Sequence, residues 1–263
     1  MVKIALSFDD GRRDNYDVVV PILQKYGLKA TFNIATAYVD GTIPKDLAPC
    51  INPAMDKKHI KKLYLLGYEI AGHGDCHTNK DEDIIAGIRK LRNWLELEEY
   101  EQVGFASPRS DLSCNQILKH IDEYKAQRIL YVRTGIFDGN SFIKKIERKL
   151  AYLTGNKMLY YKAFEKSIGL IKRNFLIYSI PIMNRATLKQ VIYLIRKAVK
   201  NGKGCVLMFH SIADIEDLYY KDTWSWDRNK FIGLCRWLGE QEKLGKLEIV
   251  TTADFLEESV RLK

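Results

Sequence analysis

Two adjacent carboxylates and three histidines in this chain each come just after a short apolar run. Asp9 and Asp10 follow residues 4–8, His73 and His77 follow residues 68–71, and His210 follows residues 205–209. His73 and His77 are four apart. On one turn of helix they would share a face, so that both imidazoles reach one ion. One carboxylate oxygen would complete a His2Asp set with a position left open for water, the pattern of a catalytic rather than a structural zinc. By itself the spacing also describes two surface histidines on a loop. Asp9-Asp10-Gly11 by itself is also an ordinary turn after a strand. Two carboxylates side by side still suggest a division of labour, one on the metal and its neighbour as general base. His210 alone would read as an inert, hydrogen-bonded histidine at a strand end. Cys76, with nothing else to support a thiolate site, reads as packing. Together the two carboxylates and three imidazoles offer a metal with an open site, a base and an acid, which is what hydrolysis of an unactivated amide needs.

These groups act together only if the chain brings the ends of distant runs to one place. Apolar runs of strand length recur at 4–8, 30–34, 68–71, 103–106, 129–132, 175–180, 205–209 and 247–250. Helical patterns lie between them. Tyr16, Val19, Val20, Leu23 and Tyr26 precede Gly27, a glycine where a helix C-terminus belongs. Ile84, Ile88, Leu91 and Leu95 step by four, three and four, and Leu188, Val191, Ile192, Ile195 and Val199 form another strong helix face. Thr252 is placed to cap a last helix carrying Leu256 and Val260. Strand and helix in alternation imply a parallel sheet. Seven or eight units without a linker favour closure into a single-domain (β/α) barrel over residues 1–263, with an open doubly wound sheet as the alternative. In both, functional groups collect at the C-terminal ends of the strands, where the aspartates and histidines fall.

The totals bound the function. A chain of 263 residues with 46% hydrophobic and 29% charged residues is globular and long enough to bury a large core. Cys50, Cys76, Cys114, Cys205 and Cys235 are odd in number, scattered and free of any CxxC pair, so reduced thiols are expected rather than a disulfide framework. The first residues lack the pattern of a secretory signal, and no stretch has the uncharged length of a membrane span. The expected location is therefore cytoplasmic. The formal net charge of +9 could attract nucleic acid, an anionic membrane or an anionic sugar. No nucleic-acid module is recognisable, so no nucleic-acid partner is expected.

At these residues the chain resembles the polysaccharide deacetylases, carbohydrate esterase family four. Ser7-Phe8-Asp9-Asp10-Gly11 is similar to the family's Thr-Phe-Asp-Asp-Gly motif, and His73 to His77 to its His-Ser/Thr-x-x-His motif. Phe105-Ala106-Ser107-Pro108 resembles the Arg-x-Pro motif, and Leu207-Met208-Phe209-His210 the Leu-x-x-His motif. Softer likenesses are residues 131–134, the segment of Trp224 and Trp226, and residues 250–256. The motifs keep the family's order over nearly the whole chain. The resemblance implies a distorted (β/α) barrel. It implies that Asp10, His73 and His77 bind one divalent metal ion, commonly zinc, that Asp9 is the general base, and that His210 is the general acid. Pro108, Arg109 and Trp226 are the candidates for substrate or oxyanion contacts. The implied activity is hydrolytic removal of an N-acyl group, N-acetyl in the first instance, from an amino sugar.

Three departures from the family pattern stand out. Ala106 occupies the place of the arginine that pairs with the catalytic aspartate, and Arg109 is the nearest substitute. Gly74 stands where serine or threonine steadies the loop. No Asp/Trp motif that would tune the histidine is found. Ala106 and the missing motif favour, as an alternative, a non-catalytic glycan- or lipid-binding protein on the same scaffold, and because the resembled scaffold also hosts other hydrolyses, a hydrolase of another amide or O-acetyl ester is a further alternative.

A segment at about 142–178 is longer than a strand-to-helix connection needs and interleaves lysines and arginines with aromatics. Two readings fit it: a basic amphipathic contact with an anionic membrane face, or a helix pair packed on the barrel by its aromatics. With a cytoplasmic location, the first points to a lipid-linked or nucleotide-linked amino sugar as carbohydrate substrate, and to a peripheral position at the inner membrane face.

Overall fold

Alternation along the first strand already divides the molecule into an inside and an outside. In β1 (Lys3–Phe8) Ile4, Leu6 and Phe8 join the large apolar core, while Ala5 belongs to a separate small cluster and Ser7 accepts a hydrogen bond from Asn33. Successive side chains on a strand point to opposite faces, so one face takes helices and the other lines an interior. The computed structural model describes residues 1–137, 139 and 141–261, with side chains except at 219 and 257–261. The strands are β1, β2 (Thr31–Ile34), β3 (Glu69–Gly72), β4 (Val103–Ala106), β5 (Ile129–Thr134), β6 (Ile171–Lys172), β7 (Leu176–Pro181), β8 (Cys205–Phe209), β9 (Ser211–Ala213), β10 (Ser225–Asp227) and β11 (Glu248–Val250). The helices are α1 (Val20–Tyr26), α2 (Thr36–Asp40), α3 (Lys57–Leu65), α4 (Asp81–Leu95), α5 (Cys114–Lys119), α6 (Ile121–Ala126), α7 (Phe142–Thr154), α8 (Lys157–Phe164), α9 (Leu188–Lys200), α10 (Arg228–Lys243) and α11 (Thr252–Arg261).

Seven of the strands close on themselves in the order β1-β2-β3-β4-β5-β7-β8, all parallel. Closure is made by β8, which pairs with β1 from Ile4↔Cys205 to Phe8↔Phe209. The eighth expected strand, β11, adds no stave. It pairs with the first half of β1 and leaves the second half to β2. The helix after it carries Phe255 and Leu256 against Ala5, Tyr131, Ile177 and Val206, a plug of side chains inside the barrel. Val260, expected on the same helix, lies outside the described side chains.

The segment from 142 onward forms α7 and α8. Tyr160 and Phe164 of α8 are buried, with Tyr152 of α7 set edge-on against Tyr160, so aromatics do seat this pair. No described helix is long and apolar enough to cross a membrane.

Candidate active site

The interior polar residues climb the strands toward their C-terminal ends. Asp9 and Asp10 stand one and two residues past β1, His73 directly past β3, and His210 directly past β8. Asp10 has φ +79° and Gly11 φ +86°, a sharp turn that sends the two neighbouring carboxylates to different partners.

Asp10 Oδ2 accepts from Arg12 Nε at 2.8 Å. Its Oδ1 is buried, has no hydrogen-bond partner among the described residues, and lies 3.3 Å from His73 Nε2 and 3.4 Å from His77 Nε2. Ligand atoms of Asp10, His73 and His77 all fall within 4.8 Å of one another. His73 Nδ1 is 2.8 Å from the Ala106 carbonyl oxygen. A carbonyl only accepts, so Nδ1 carries the hydrogen, and in the neutral ring the Nε2 lone pair points at Asp10 Oδ1. An orphaned carboxylate oxygen and two imidazole nitrogens around one small space fit a divalent cation. Burial and the neighbouring His73 push the His77 imidazole down to about 4, which keeps it neutral and able to ligate. Burial alone would raise the Asp10 carboxyl, but Arg12 and the histidines hold it well below the usual carboxylate range.

The histidine pair is not on a helix. Residues 73–77 are irregular, bending at 75–77, with Gly74 at φ +75° and His77 at φ +58°, and this path brings the two rings to 4.9 Å between centroids. A Cβ on Gly74 would sit 2.6 Å from Asp83 Oδ2 and 2.9 Å from the Thr78 carbonyl oxygen, so both conformation and contact require glycine there. The steadying role expected of serine or threonine falls to Asp83 of α4, which accepts from Cys76 N at 2.7 Å and Thr78 N at 3.0 Å.

Asp9 is gripped by Arg133. Nη2 of Arg133 is 2.6 Å from Asp9 Oδ1 and 2.7 Å from Oδ2, and Asn33 Nδ2 donates to Oδ1 at 2.8 Å. Burial would raise the Asp9 carboxyl; Arg133, with His73 and His210 nearby, overrides this and lowers it. The missing arginine at Ala106 is thus replaced from β5. Arg109 does not fill that role: its side chain is exposed, it lines the cavity, and it makes no ion pair with Asp9.

His210 Nε2 lies 3.9 Å from Asp9 Oδ2, and its ring packs at 4.7 Å from Trp224. Its Nδ1 is buried without a partner among the described residues, in line with the absent Asp/Trp motif. Burial lowers its basicity against the pull of Asp10 and Asp9. Asn15, in a π-helical turn (Asn15–Val19), donates to the His210 carbonyl at 2.6 Å and so ties the first helix to the end of β8.

Pro108 is buried, and its carbonyl accepts from Asn79 Nδ2 at 2.8 Å, so it shapes the wall from behind. The expectation for Trp226 is corrected. It is fully buried, packs on Phe209 and donates Nε1–H to the Ala186 carbonyl at 2.8 Å. The tryptophan at the site is Trp224, which stands in the turn before β10 and lines the cavity beside His210. Arg12, Asn33 and Arg133 escaped the sequence reading. Their signal was present in part: Asn33 and Arg133 are polar residues at inward positions of mostly apolar strands.

Asp9, Asp10, His77 and His210 open into a cavity of about 830 Å³ that continues past Trp224, Tyr178 and Phe137 to Arg148 and Tyr152 of α7. Its size and mixed lining suit a sugar-sized ligand.

The sequence profile described as polysaccharide deacetylase matches residues 2–135, which hold the aspartate pair, His73, His77 and Arg133. A search of curated proteins returns no significant match. Among solved structures the chain is similar to a Mycobacterium smegmatis protein provisionally described as a polysaccharide deacetylase, at 15% identity over 98% of this chain and 89% of that one, with TM-score 0.52. It is also similar to the Bc1960 peptidoglycan N-acetylglucosamine deacetylase, at 14% identity over 96% and 87%, with TM-score 0.50. Likenesses this distant show the barrel fold alone. With the profile spanning 2–135 of 263 residues, the chain belongs to the polysaccharide deacetylase family.

Proposed function

We propose that the protein is a metal-dependent N-deacetylase that hydrolyses the acetamido group of an amino sugar. The observation that carries this reading is the pairing of two differently held carboxylates. Asp10 presents a bare oxygen to two imidazoles, while Asp9, one residue away, is kept ionised by Arg133. A divalent ion held by Asp10, His73 and His77, zinc by preference of that donor set, would supply Lewis acidity toward the acyl oxygen. Asp9 takes the proton of the attacking water. Arg133 and Asn33 keep its carboxylate oriented for that task. His210, on the other side of Asp9, returns a proton to the departing sugar nitrogen, without which the amine is a poor leaving group. Trp224 fixes the imidazole plane. The Arg133–Asp9 pair supports the catalytic reading over a binding-only scaffold, since it keeps a buried base charged.

The cavity's length and its Arg109 and Arg148 support an amino sugar carried on a larger, anionic acceptor such as a lipid-linked or nucleotide-linked precursor. The test is metal content and acetate release on N-acetylated oligosaccharides and on such precursors, for wild type and Asp9→Ala. Near one ion per chain and acetate lost with Asp9→Ala are expected. Bound metal without release of any acyl group would overturn the reading.

A further inference from the structure

Helix α7 faces the wrong way for a helix that only packs. Wound at about 100° per residue, Phe142, Ile143, Ile146, Leu150 and Leu153 fall on one arc, and that arc points to solvent. Exposure is 76% at Phe142, 68% at Ile143, 65% at Leu153 and above 40% at Ile146 and Leu150. The opposite arc faces the protein. Ala151 is fully buried there, Lys144 Nζ donates to the Lys162 carbonyl at 2.6 Å, and Arg148 and Tyr152 line the cavity. An apolar stripe normally seats a helix on its core, and soluble monomers seldom leave one in water.

The flank of this arc is cationic. Lys145 and Lys149 are exposed beside it and form no ion pair among the described residues, and exposed Lys157 follows the turn. Glu147, the one acid of α7, is held by Lys144 at 2.7 Å. A second copy presenting the same face would crowd these lysines together. An anionic surface with an apolar layer beneath it satisfies both the charge and the stripe. We propose that α7 docks the protein on an anionic lipid bilayer, with its apolar arc among the headgroups. The other side of the same helix is a wall of the cavity, so the site then lies about one helix diameter, roughly 10 Å, from the lipid. Docking requires neither metal nor turnover, so it stands or falls apart from the deacetylase reading.

The experiment is vesicle flotation of the full chain with phosphatidylcholine alone and with an equal mixture of phosphatidylcholine and phosphatidylglycerol. Binding to the anionic vesicles, weakening with added salt and absent on the neutral ones, is expected. Ile143→Ser with Leu150→Ser lowers it at least about tenfold, since two apolar anchors leave the interface. Lys145→Gln with Lys149→Gln lowers it roughly 30-fold. Circular dichroism and melting temperature stay as in wild type, and if the apolar pair fails to fold, the surface lysine pair decides alone. No binding to anionic vesicles, or binding that neither pair weakens, overturns the proposal. So does a wild-type dimer in light scattering that Ile143→Ser with Leu150→Ser dissociates, which would make a second copy the occupant.

Discussion

Asp9 and Asp10 are neighbours that answer to different arginines. Asp9 shares both oxygens with Arg133, and Asp10 gives one oxygen to Arg12 and keeps the other bare. Arg133→Met leaves a buried carboxylate without its cation and is expected to cost about 3 kcal/mol or more in stability by urea unfolding. Its pH signature is the sharper test. In the proposed mechanism Asp9 works as a base only when ionised, and Arg133 holds its carboxyl below the ordinary range against burial. Without Arg133 burial prevails and the carboxyl rises, so the acid limb of kcat/KM should move to higher pH. An unmoved limb would mean that Arg133 is not what keeps Asp9 charged. Arg12 acts on Asp10, the proposed metal ligand, instead. It is fully buried between Asp10, Ser211 and Asp222, all at 2.8–2.9 Å, and so aims Asp10 Oδ1 at the histidines. Arg12→Gln should weaken zinc binding about 10–100-fold in chelator competition. Tighter binding would show that the metal feels the arginine's charge more than its grip.

At the scale of elements, the site depends on turns rather than on regular structure. The histidine pair reaches one point because the chain after β3 bends through Gly74 and is clamped by Asp83 at the start of α4. Gly87 of α4 brings that helix against the same loop, since a Cβ there would lie 2.7 Å from the Gly74 carbonyl carbon. Gly74→Ala forces a left-handed backbone and a contact with Asp83. A loss of about 1–2 kcal/mol in stability is expected from the backbone alone, together with reduced metal retention on dialysis. Full metal retention would show that the loop can carry both imidazoles along another path.

For the whole molecule, the candidate site and the side-chain plug sit at opposite ends of the barrel. Asp9, Asp10, His73 and His210 follow strand C-termini, while Phe255 and Leu256 pack against Ala5 and Val206 below them. Thr252 Oγ1 and Thr31 Oγ1 lie 2.9 Å apart where β11 gives way to β2 along β1. Phe255→Ala should therefore lower stability by about 3 kcal/mol in urea unfolding and leave the metal content per folded chain unchanged. A matching loss of metal would show that the two ends are coupled through the strands.

Period and position were enough to read much of this from the residues in order. Alternating apolar runs and helical faces specify strand-helix units, because burial of one face leaves a local imprint of period two or 3.6. The same imprint places Asp9, Asp10, His73, His77 and His210 at strand ends. The number of staves, the choice of Trp224 over Trp226, the inward basic side of α7 and both arginine pairings were decided by the tertiary structure. Arg133 and Asp9 are 124 residues apart, and Arg12 and Ser211 199 apart. Such partners meet only because seven strands close into a ring, and through-space closure leaves no trace in local spacing.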